Sequence, residues 1–311
     1  TLADRWHIGS CTKSMTATLA AMLVEEGKIS WTTTVDEMFP ELAEKMQPAY
    51  RSVTLEQLLA HRGGLPDDTK GGTEVFLKLR QFSGPIVEQR LKLVELALQQ
   101  KPKDPPGTKY GYSNYGYAIA GAMLEKTTGR SWEELLQERL FKPLKMSSAG
   151  FGAPGRENPV DEPRGHVRRL GKLIPIKPGP NGDNPACMGP CGTVHCSIED
   201  LARYALFHLQ GARGRNHILE PKSFQKLHGD IEKQGYALGW GVVERSWADG
   251  EALTHTGSNT MWFTVVWIAP KKDFAVVIAT NTGQPDAFSA CDAVAWQTIE
   301  KQLIKPAKVA N

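Results

Sequence analysis

The last third of the chain changes from helical to strand-like patterning, and this change constrains the fold most. Helical periodicity dominates the middle of the chain, most clearly at residues 85–100. Short stretches that are β-branched or aromatic and separated by turn residues predict four strands, at residues 236–243, 252–256, 262–269 and 274–280. A closing amphipathic helix is predicted at residues 287–303. The order predicts an α+β fold in which an antiparallel sheet packs beside a helical region.

Several local signals divide the rest of the chain. A helix is predicted from Ser10 to about Glu26, and Thr54 and Ser197 are predicted to cap later helices. Further helices are predicted at residues 115–127 and 131–139. Residues 150–192 are rich in Gly and Pro with few periodic apolar residues, so we predict an irregular segment, either a long loop that shapes an active site or loosely packed surface.

Composition excludes some classes of function. The chain has 311 residues and a formal net charge of +3, with Lys and Arg spread along it, which gives nucleic-acid binding no support. It contains no run of eighteen apolar residues, so no membrane span is predicted. No signal peptide is visible, and the chain opens at Thr1, so processing or truncation of a longer precursor is expected.

Ser10 and Lys13 form a Ser-x-x-Lys motif at the predicted start of the first helix, after Gly9. Residues three apart share a helix face, and a helix N-terminus favours developing negative charge. Lys13 could therefore take the hydroxyl proton of Ser10 and make it a nucleophile. The simpler interpretation is a capping serine beside a surface lysine. A second copy, Ser223 to Lys226, lies in a polar helical segment with no preceding glycine and serves as an internal comparison.

Two later triplets favour the catalytic interpretation. Residues 112–114 are Tyr-Ser-Asn, and residues 255–257 are His-Thr-Gly. Together with Ser10 and Lys13 they supply a nucleophile, two candidate bases, an orienting amide and a strand edge that can bind a carbonyl group. Each residue alone is more simply a buried aromatic, a turn residue or a strand-edge residue. As an ordered set they indicate acyl transfer through a covalent serine intermediate.

A metal site has weak support. Cys187, Cys191, His195 and Cys196 are clustered, but their spacing matches no common zinc pattern, so neither a metal nor a cofactor is predicted. Five cysteines in a chain of this length do not indicate a disulfide scaffold. Cys11, beside Ser10, could be redox-active but is more simply a small core residue.

At these motifs the chain resembles the serine β-lactamase and penicillin-binding protein superfamily, and within it the group of class C β-lactamases, D,D-peptidases and esterases. The similarity covers most of residues 1–285 in the order of the group's motifs. It includes residues 8–14, 54–65, 112–114, 141–146 and 192–201. The resemblance implies a β-lactamase/transpeptidase-like fold and one catalytic unit over residues 1–311. A helical region is expected at about residues 30–230, and a sheet region at 1–29 plus 231–311.

The resemblance also implies roles for individual residues. Ser10 would be the acylated nucleophile, with Lys13 and Tyr112 as the bases. Asn114 would hold Lys13 and the substrate amide. His255, Thr256 and Gly257 would form the strand that lines the site, and the backbone N–H groups of Ser10 and Ser258 would form the oxyanion hole.

The sequence departs from the group in two respects. Only nine residues precede Ser10, so strands of the main sheet that usually come first are expected to be missing. His255 stands where β-lactamases and penicillin-binding proteins mostly have lysine. Histidine has a solution pKa of about 6.5 and is mostly neutral at pH 7, so selection for a substrate carboxylate should be weaker.

The leading hypothesis is a serine hydrolase that acts on a β-lactam, a D-amino-acid peptide or a carboxylic ester. The alternative is a catalytically silent binding or scaffold protein of the same fold. An α/β-hydrolase esterase is disfavoured because Gly-x-Ser-x-Gly is absent, and a metallohydrolase because His-Glu-x-x-His is absent. The expected partner is a small molecule or short peptide, the oligomeric state is open, and the resemblance favours an exported protein.

Overall fold

The computed structural model describes residues 1–66, 72–230 and 232–305. The helices in these ranges are α1 (Thr12–Glu25), α2 (Val35–Met38), α3 (Leu55–Leu59), α4 (Gly72–Arg80), α5 (Ile86–Gln99), α6 (Asn114–Thr128), α7 (Trp132–Leu136), α8 (Gly189–Gly192), α9 (Ile198–Ala212), α10 (Pro221–His228) and α11 (Pro285–Ile299). The strands are β1 (Arg5–His7), β2 (Gly150–Phe151), β3 (His166–Arg169), β4 (Lys172–Pro175), β5 (Val194–Ser197), β6 (Gly241–Arg245), β7 (Gly250–Ser258), β8 (Phe263–Ala269) and β9 (Phe274–Thr280). The fold is α+β, as predicted.

The four C-terminal strands form one antiparallel sheet in the order β6-β7-β8-β9. Its register pairs His255 with Val266 and Val266 with Val277. Helices α9 and α11 pack against β8 and β9 and cover the apolar side chains of these strands. The prediction of strands at residues 252–256, 262–269 and 274–280 is therefore confirmed.

The predicted strand at residues 236–243 is wrong in its first half, because β6 begins only at Gly241. The chain turns before it: Ala237 N donates to Trp240 O at 2.8 Å, and Gly239 has a φ of +81°. A positive φ suits glycine and interrupts extended backbone. Of the two aromatic residues in this stretch, Trp240 fills the core and Tyr236 packs against His61.

Two smaller sheets lie outside the main one. Strands β1, β5 and β2 form a three-stranded sheet in the order β1-β5-β2, which pairs His7 with His195. Strands β3 and β4 form a hairpin. The prediction that residues 150–192 are irregular is wrong for this hairpin, whose second strand is exposed throughout and so lacked the apolar alternation that marks a half-buried strand.

Helix α1 lies at the centre of the helical region. A 3-10 turn at Gly9–Cys11 precedes it, and every residue from Thr12 to Leu23 is buried. Helices α6, α8 and α10 pack around it. Its small residues, such as Ala17 and Ala20, allow this close approach, and Thr16 Oγ1 donates to Pro190 O at 2.7 Å. Helix α1 is therefore buried on every side.

The local helix signals are confirmed. Thr54 Oγ1 accepts from Gln57 N, and the Gln57 side chain accepts from Thr54 N, which completes a capping box. Ser197 Oγ accepts from Asp200 N at 3.1 Å. Helix α11 starts at Pro285, two residues earlier than predicted. Among the residues described here, no helix is long and apolar enough to cross a membrane.

Candidate active site

Two glycines bring the Gly9–Cys11 turn into contact with strand β7. Gly9 has a φ of +49°, and a Cβ atom added to it would lie 2.3 Å from Ser258 N. A Cβ atom on Gly257 would lie 1.9 Å from Ile8 O and 2.7 Å from Ser10 N. Only glycine permits this approach, because any side chain would overlap backbone atoms. The backbone N–H groups of Ser10 and Ser258 are thereby brought to adjacent positions.

Ser10 Oγ lies between two of the predicted catalytic side chains. The Tyr112 hydroxyl donates to Ser10 Oγ at 2.8 Å, and Lys13 Nζ donates to the same oxygen at 3.1 Å. Lys13 is fully buried, and its ammonium group also donates to Asn114 Oδ1 at 2.6 Å and to Cys191 O at 2.7 Å. Three acceptors thus match the three N–H bonds of a lysine ammonium.

The second Ser-x-x-Lys motif has different surroundings. Ser223 and Lys226 lie on α10, and Lys226 Nζ donates to Glu56 Oε1 at 2.6 Å, in a partly exposed ion pair. The same spacing therefore gives an ordinary ion pair on α10, and at Ser10 it brings the lysine to the serine hydroxyl. The difference lies in the tertiary contacts, which the motif does not contain.

His255 is buried in a neutral form. Its Nδ1 lies 2.6 Å from Thr256 O, and because a carbonyl oxygen only accepts, Nδ1 carries the proton. Its Nε2, 3.1 Å from the Tyr236 hydroxyl, then accepts from Tyr236. Burial, and secondarily the charge of Lys13, lowers the pKa of His255 to about 4. His255 therefore supplies no cation at neutral pH.

A cluster of aromatic rings, centred on His61, packs against the ring of Tyr112. The ring centroid of His61 lies 4.3 Å from that of Tyr112, 5.1 Å from that of Tyr117 and 4.9 Å from that of Tyr236. His61 has a φ of +56° and is only 2% exposed. Packing of this kind fixes the plane of the Tyr112 ring and hence the position of its hydroxyl.

His61 also accepts a backbone hydrogen bond, from Ser113 N to His61 Nδ1 at 3.2 Å. Burial, followed by the charge of Lys13, holds the pKa of His61 well below its usual value. No motif in the sequence indicated a role for His61, Tyr117 or Tyr236 in the site. The sequence places His61 directly after the helix that Thr54 caps, but no linear pattern shows that His61 contacts Tyr112.

These groups open into a cleft of about 490 Å³. Of the predicted residues, Ser10, Tyr112, Asn114 and Ser258 line it, and Lys13 lies buried beneath. Its other walls come from α4, the segment before β5, and the turn after β7. They include Phe76, Leu77, Arg80, Asp183, Asn184, Met188, Cys191, Asn259, Thr260 and Met261. Part of the predicted loop at residues 150–192 therefore does shape the cleft.

Two tryptophans near the edge of the main sheet, Trp240 and Trp262, belong to the core. Trp240 is 1% exposed and stacks on Tyr204, with ring centroids 6.3 Å apart. Trp262 is 2% exposed and meets Trp6 edge to face at 6.0 Å. Met261, next to Trp262, is the residue that reaches the cleft.

The cysteine cluster makes ordinary protein contacts. Cys191 Sγ donates to Met188 O at 2.9 Å, and His195 Nδ1 donates to Gly152 O at 2.8 Å. In the described ranges, no group of three or more His, Cys, Asp or Glu side chains is arranged to hold a metal. Burial raises the pKa of the Cys11 thiol to about 12, which disfavours the thiolate that redox chemistry needs.

The sequence model of the Beta-lactamase family matches residues 3–298. The chain belongs to the beta-lactamase family. The match includes both the helical region and the C-terminal sheet, as well as every residue of the site described above. Members of this family are serine hydrolases that work through an acyl-enzyme, and at that level the predicted activity is confirmed.

Among characterised relatives, this beta-lactamase-family chain is 28% identical to penicillin-binding protein 4 of Amycolatopsis lactamdurans. That alignment includes 90% of this chain and 73% of the relative. It is 25% identical to the unguisins hydrolase UngD' of Aspergillus campestris, over 96% of this chain and 56% of the relative. The chain therefore spans little more than half of that hydrolase.

Solved structures agree with the family assignment. The octameric penicillin-binding protein homologue of Pyrococcus abyssi superposes with a TM-score of 0.76 at 26% identity, over 97% of this chain and 68% of that one. A D-stereospecific amidohydrolase from Streptomyces gives a TM-score of 0.73 at 22% identity, over 97% of this chain and 86% of that one. The second likeness concerns the fold alone.

Proposed function

We propose that this protein hydrolyses a small ester or amide through an acyl-enzyme on Ser10, with Lys13 and Tyr112 as its catalytic partners. The observation that carries the proposal is the convergence on Ser10 Oγ, which lies 2.8 Å from the Tyr112 hydroxyl and 3.1 Å from Lys13 Nζ. These distances are within the range over which a base can exchange a proton with a nucleophile.

In the reactive state Tyr112 is a phenolate beside the ammonium group of Lys13. In the first step, Ser10 Oγ attacks the substrate carbonyl carbon, and its proton passes to the Tyr112 oxygen. The carbonyl oxygen becomes an oxyanion, which the N–H groups of Ser10 and Ser258 stabilise. Such donors contribute about 10²–10³ in rate each. The leaving group departs with the proton returned through Tyr112, and the acyl group remains on Ser10 as an ester.

In the second step, Tyr112 takes a proton from water, and the resulting hydroxide attacks the acyl-Ser10 ester. The Ser10 oxygen leaves and recovers a proton, and the carboxylic acid product is released. Lys13 is held by Asn114 Oδ1 and Cys191 O, and its Nζ lies 4.9 Å from the Tyr112 ring centroid. From there it stabilises negative charge on both the serine and the tyrosine oxygen.

The state of His255 bears on the substrate. A neutral His255, hydrogen-bonded to Tyr236 and Thr256, leaves the strand edge without the permanent cation that lysine would supply there. We therefore expect the protein to hydrolyse esters and amides, including D-amino-acid peptides, that carry no carboxylate. We expect it to select for the carboxylate of a β-lactam less strongly than a protein with lysine at this position. The proposal includes a single catalytic unit, a small-molecule or short-peptide substrate, and export from the cytoplasm.

Intact-mass spectrometry tests the proposal. The wild-type chain, Ser10→Ala and Ser223→Ala would each be incubated with an activated short-chain ester and, separately, with a β-lactam. Ser223 is a matched control because it begins the other Ser-x-x-Lys motif. We expect an acyl adduct or turnover in the wild type and in Ser223→Ala, and none in Ser10→Ala. A wild-type chain that is inert to both reagents would instead favour the catalytically silent alternative.

A further inference from the structure

Two buried polar side chains beside the nucleophile have no role in the steps above. His7, the last residue of β1, is fully buried, and Asp183 is 5% exposed on the wall of the cleft. They lie 176 positions apart in the chain (183 − 7), so no sequence motif connects them. Burial of a carboxylate is costly unless it has partners, so its placement here calls for a physical reason.

His7 holds the backbone of the turn that carries Ser10. Gly9 N donates to His7 Nδ1 at 3.1 Å. A ring nitrogen that accepts a hydrogen bond carries no proton, so a neutral His7 has its proton on Nε2. Nε2 lies 2.5 Å from Asp183 Oδ1. The Nε2–H bond is not aimed directly at this oxygen, so the link rests on the short distance and on the opposite polarity of the two groups.

Asp183 is in turn fixed by its own segment. Its Oδ1 accepts from Asn184 N at 2.6 Å, and its backbone oxygen accepts from the Arg80 guanidinium. Asn184 Nδ2 donates to Gly192 O at 2.6 Å, which links the same segment to the end of helix α8. The carboxylate is thus anchored, and it favours the His7 tautomer whose Nδ1 can accept from Gly9.

We infer that His7 and Asp183 are positioning residues that keep the Ser10 N–H in place as an oxyanion donor. The inference rests on the proposed function. Gly9 needs this restraint because its φ of +49° is one of several conformations open to glycine. Ile8 N donates to Val194 O at 2.9 Å, so the backbone before Gly9 is already held by β5. The His7 bond holds the next N–H, one residue from Ser10.

Three variants test this inference by pre-steady-state acylation with an activated ester. His7→Phe keeps a planar ring but removes the acceptor, and His7→Asn places an amide oxygen where Nδ1 stood. Misplacement of a catalytic group by about 1 Å can cost about 100-fold. We expect His7→Phe to lower the maximal acylation rate constant about 10- to 100-fold with little change in the half-saturating ester concentration. His7→Asn should recover at least about tenfold of that loss.

The third variant, Asp183→Asn, leaves the size of the side chain unchanged. It should lower the same rate constant about 3- to 10-fold, because the amide no longer favours the required tautomer. Rates are expressed per folded molecule, with the folded fraction taken from thermal unfolding. If His7→Phe does not fold, Asp183→Asn and His7→Asn decide the matter, since unchanged rates in Asp183→Asn overturn the inference.

The inference is also overturned if His7→Phe and His7→Asn lower the acylation rate constant equally, because the amide oxygen of His7→Asn should restore the lost hydrogen-bond acceptor. It is likewise overturned if the variants change only the half-saturating ester concentration. The failure of the proposed function itself looks different. In that case the wild-type chain forms no adduct that depends on Ser10. Wild-type acylation together with unaltered His7→Phe kinetics rejects the positioning role alone.

Discussion

The Tyr112 hydroxyl donates a 2.8 Å hydrogen bond to Ser10 Oγ across a separation of 102 residues. The two residues come from different helix N-termini, since Ser10 precedes α1 and Tyr112 precedes α6. The packing of α6 against α1 therefore sets this distance. Ser10 and Tyr112 can act together only when the helical region is fully assembled, so activity should be a sensitive probe of its packing.

Replacement of Tyr112 by Phe should separate chemistry from packing. The phenylalanine ring keeps the contact with His61 and loses only the hydroxyl next to Ser10. We expect the rate of ester turnover to fall about 10²- to 10⁴-fold, the usual contribution of a general acid–base group. The melting temperature should change by only a few degrees. Turnover within threefold of wild type would show that Tyr112 is not a base.

Lys13→Met should lower both stability and activity. Lys13 is fully buried, and its removal loses the hydrogen bonds from its ammonium group to Asn114 Oδ1 and Cys191 O, each worth about 1.5–3 kcal/mol because the donor is charged. Urea unfolding would measure this loss. Lys126→Met is the control, because exposed Lys126 pairs with Glu41 and lies over the Phe39 ring, and its replacement should change stability by less than about 1 kcal/mol. Equal midpoints for the two variants would contradict the prediction.

Gly9→Ala should be far more damaging than Gly27→Ala. Both glycines have positive φ, +49° and +67°, so both substitutions introduce backbone strain of about 1–3 kcal/mol. At Gly9 the new Cβ would also lie 2.3 Å from Ser258 N, whereas at Gly27 nothing lies within 4 Å. We expect Gly9→Ala to abolish acylation and lower the melting temperature, and Gly27→Ala to retain full acylation. A fully active Gly9→Ala enzyme would refute the tight approach of the turn to β7.

The buried histidines should make the protein less stable as pH falls from about 6.5. Burial lowers the pKa of His255 and of His195 to about 4 and that of His228 to about 3. Between each folded-state pKa and about 6.5, the unfolded chain binds more protons, so stability rises with pH across this window. Urea midpoints should therefore decrease from pH 7.5 to pH 5.5.

The contribution of His255 can be isolated by His255→Gln, which keeps a polar side chain and removes the titration. We expect the change in unfolding free energy between pH 7.5 and pH 5.5 to be smaller in this variant, by about 1 kcal/mol. Other titrating groups, such as buried Glu125, whose pKa burial raises, contribute equally to both proteins and cancel. Identical pH dependence in the two proteins would mean that His255 is not held neutral by the fold.

Local signals in the sequence predicted local structure well. The Thr54 and Ser197 caps depend on side chains within three residues of the backbone groups they bind, and both were predicted. Helix geometry places Ser10 and Lys13 on one face, but the contact of Lys13 with the serine hydroxyl also needs its tertiary partners Asn114 and Cys191. The error at residues 236–240 also comes from a local signal, since aromatic side chains predict a strand whether they face a sheet or fill the core beside a turn.

The sequence by itself determined the α+β class and three of the four strands of the C-terminal sheet, and it supplied Ser10, Lys13, Tyr112 and Asn114 as candidates, because these depend on periodicity and short spacings. Tertiary structure alone decided which of two Ser-x-x-Lys motifs meets a tyrosine, that His255 is neutral, and that His7 reaches Asp183. Each of these depends on burial or on contacts between distant segments. Burial and proximity are properties of the packed chain, and a linear pattern carries neither.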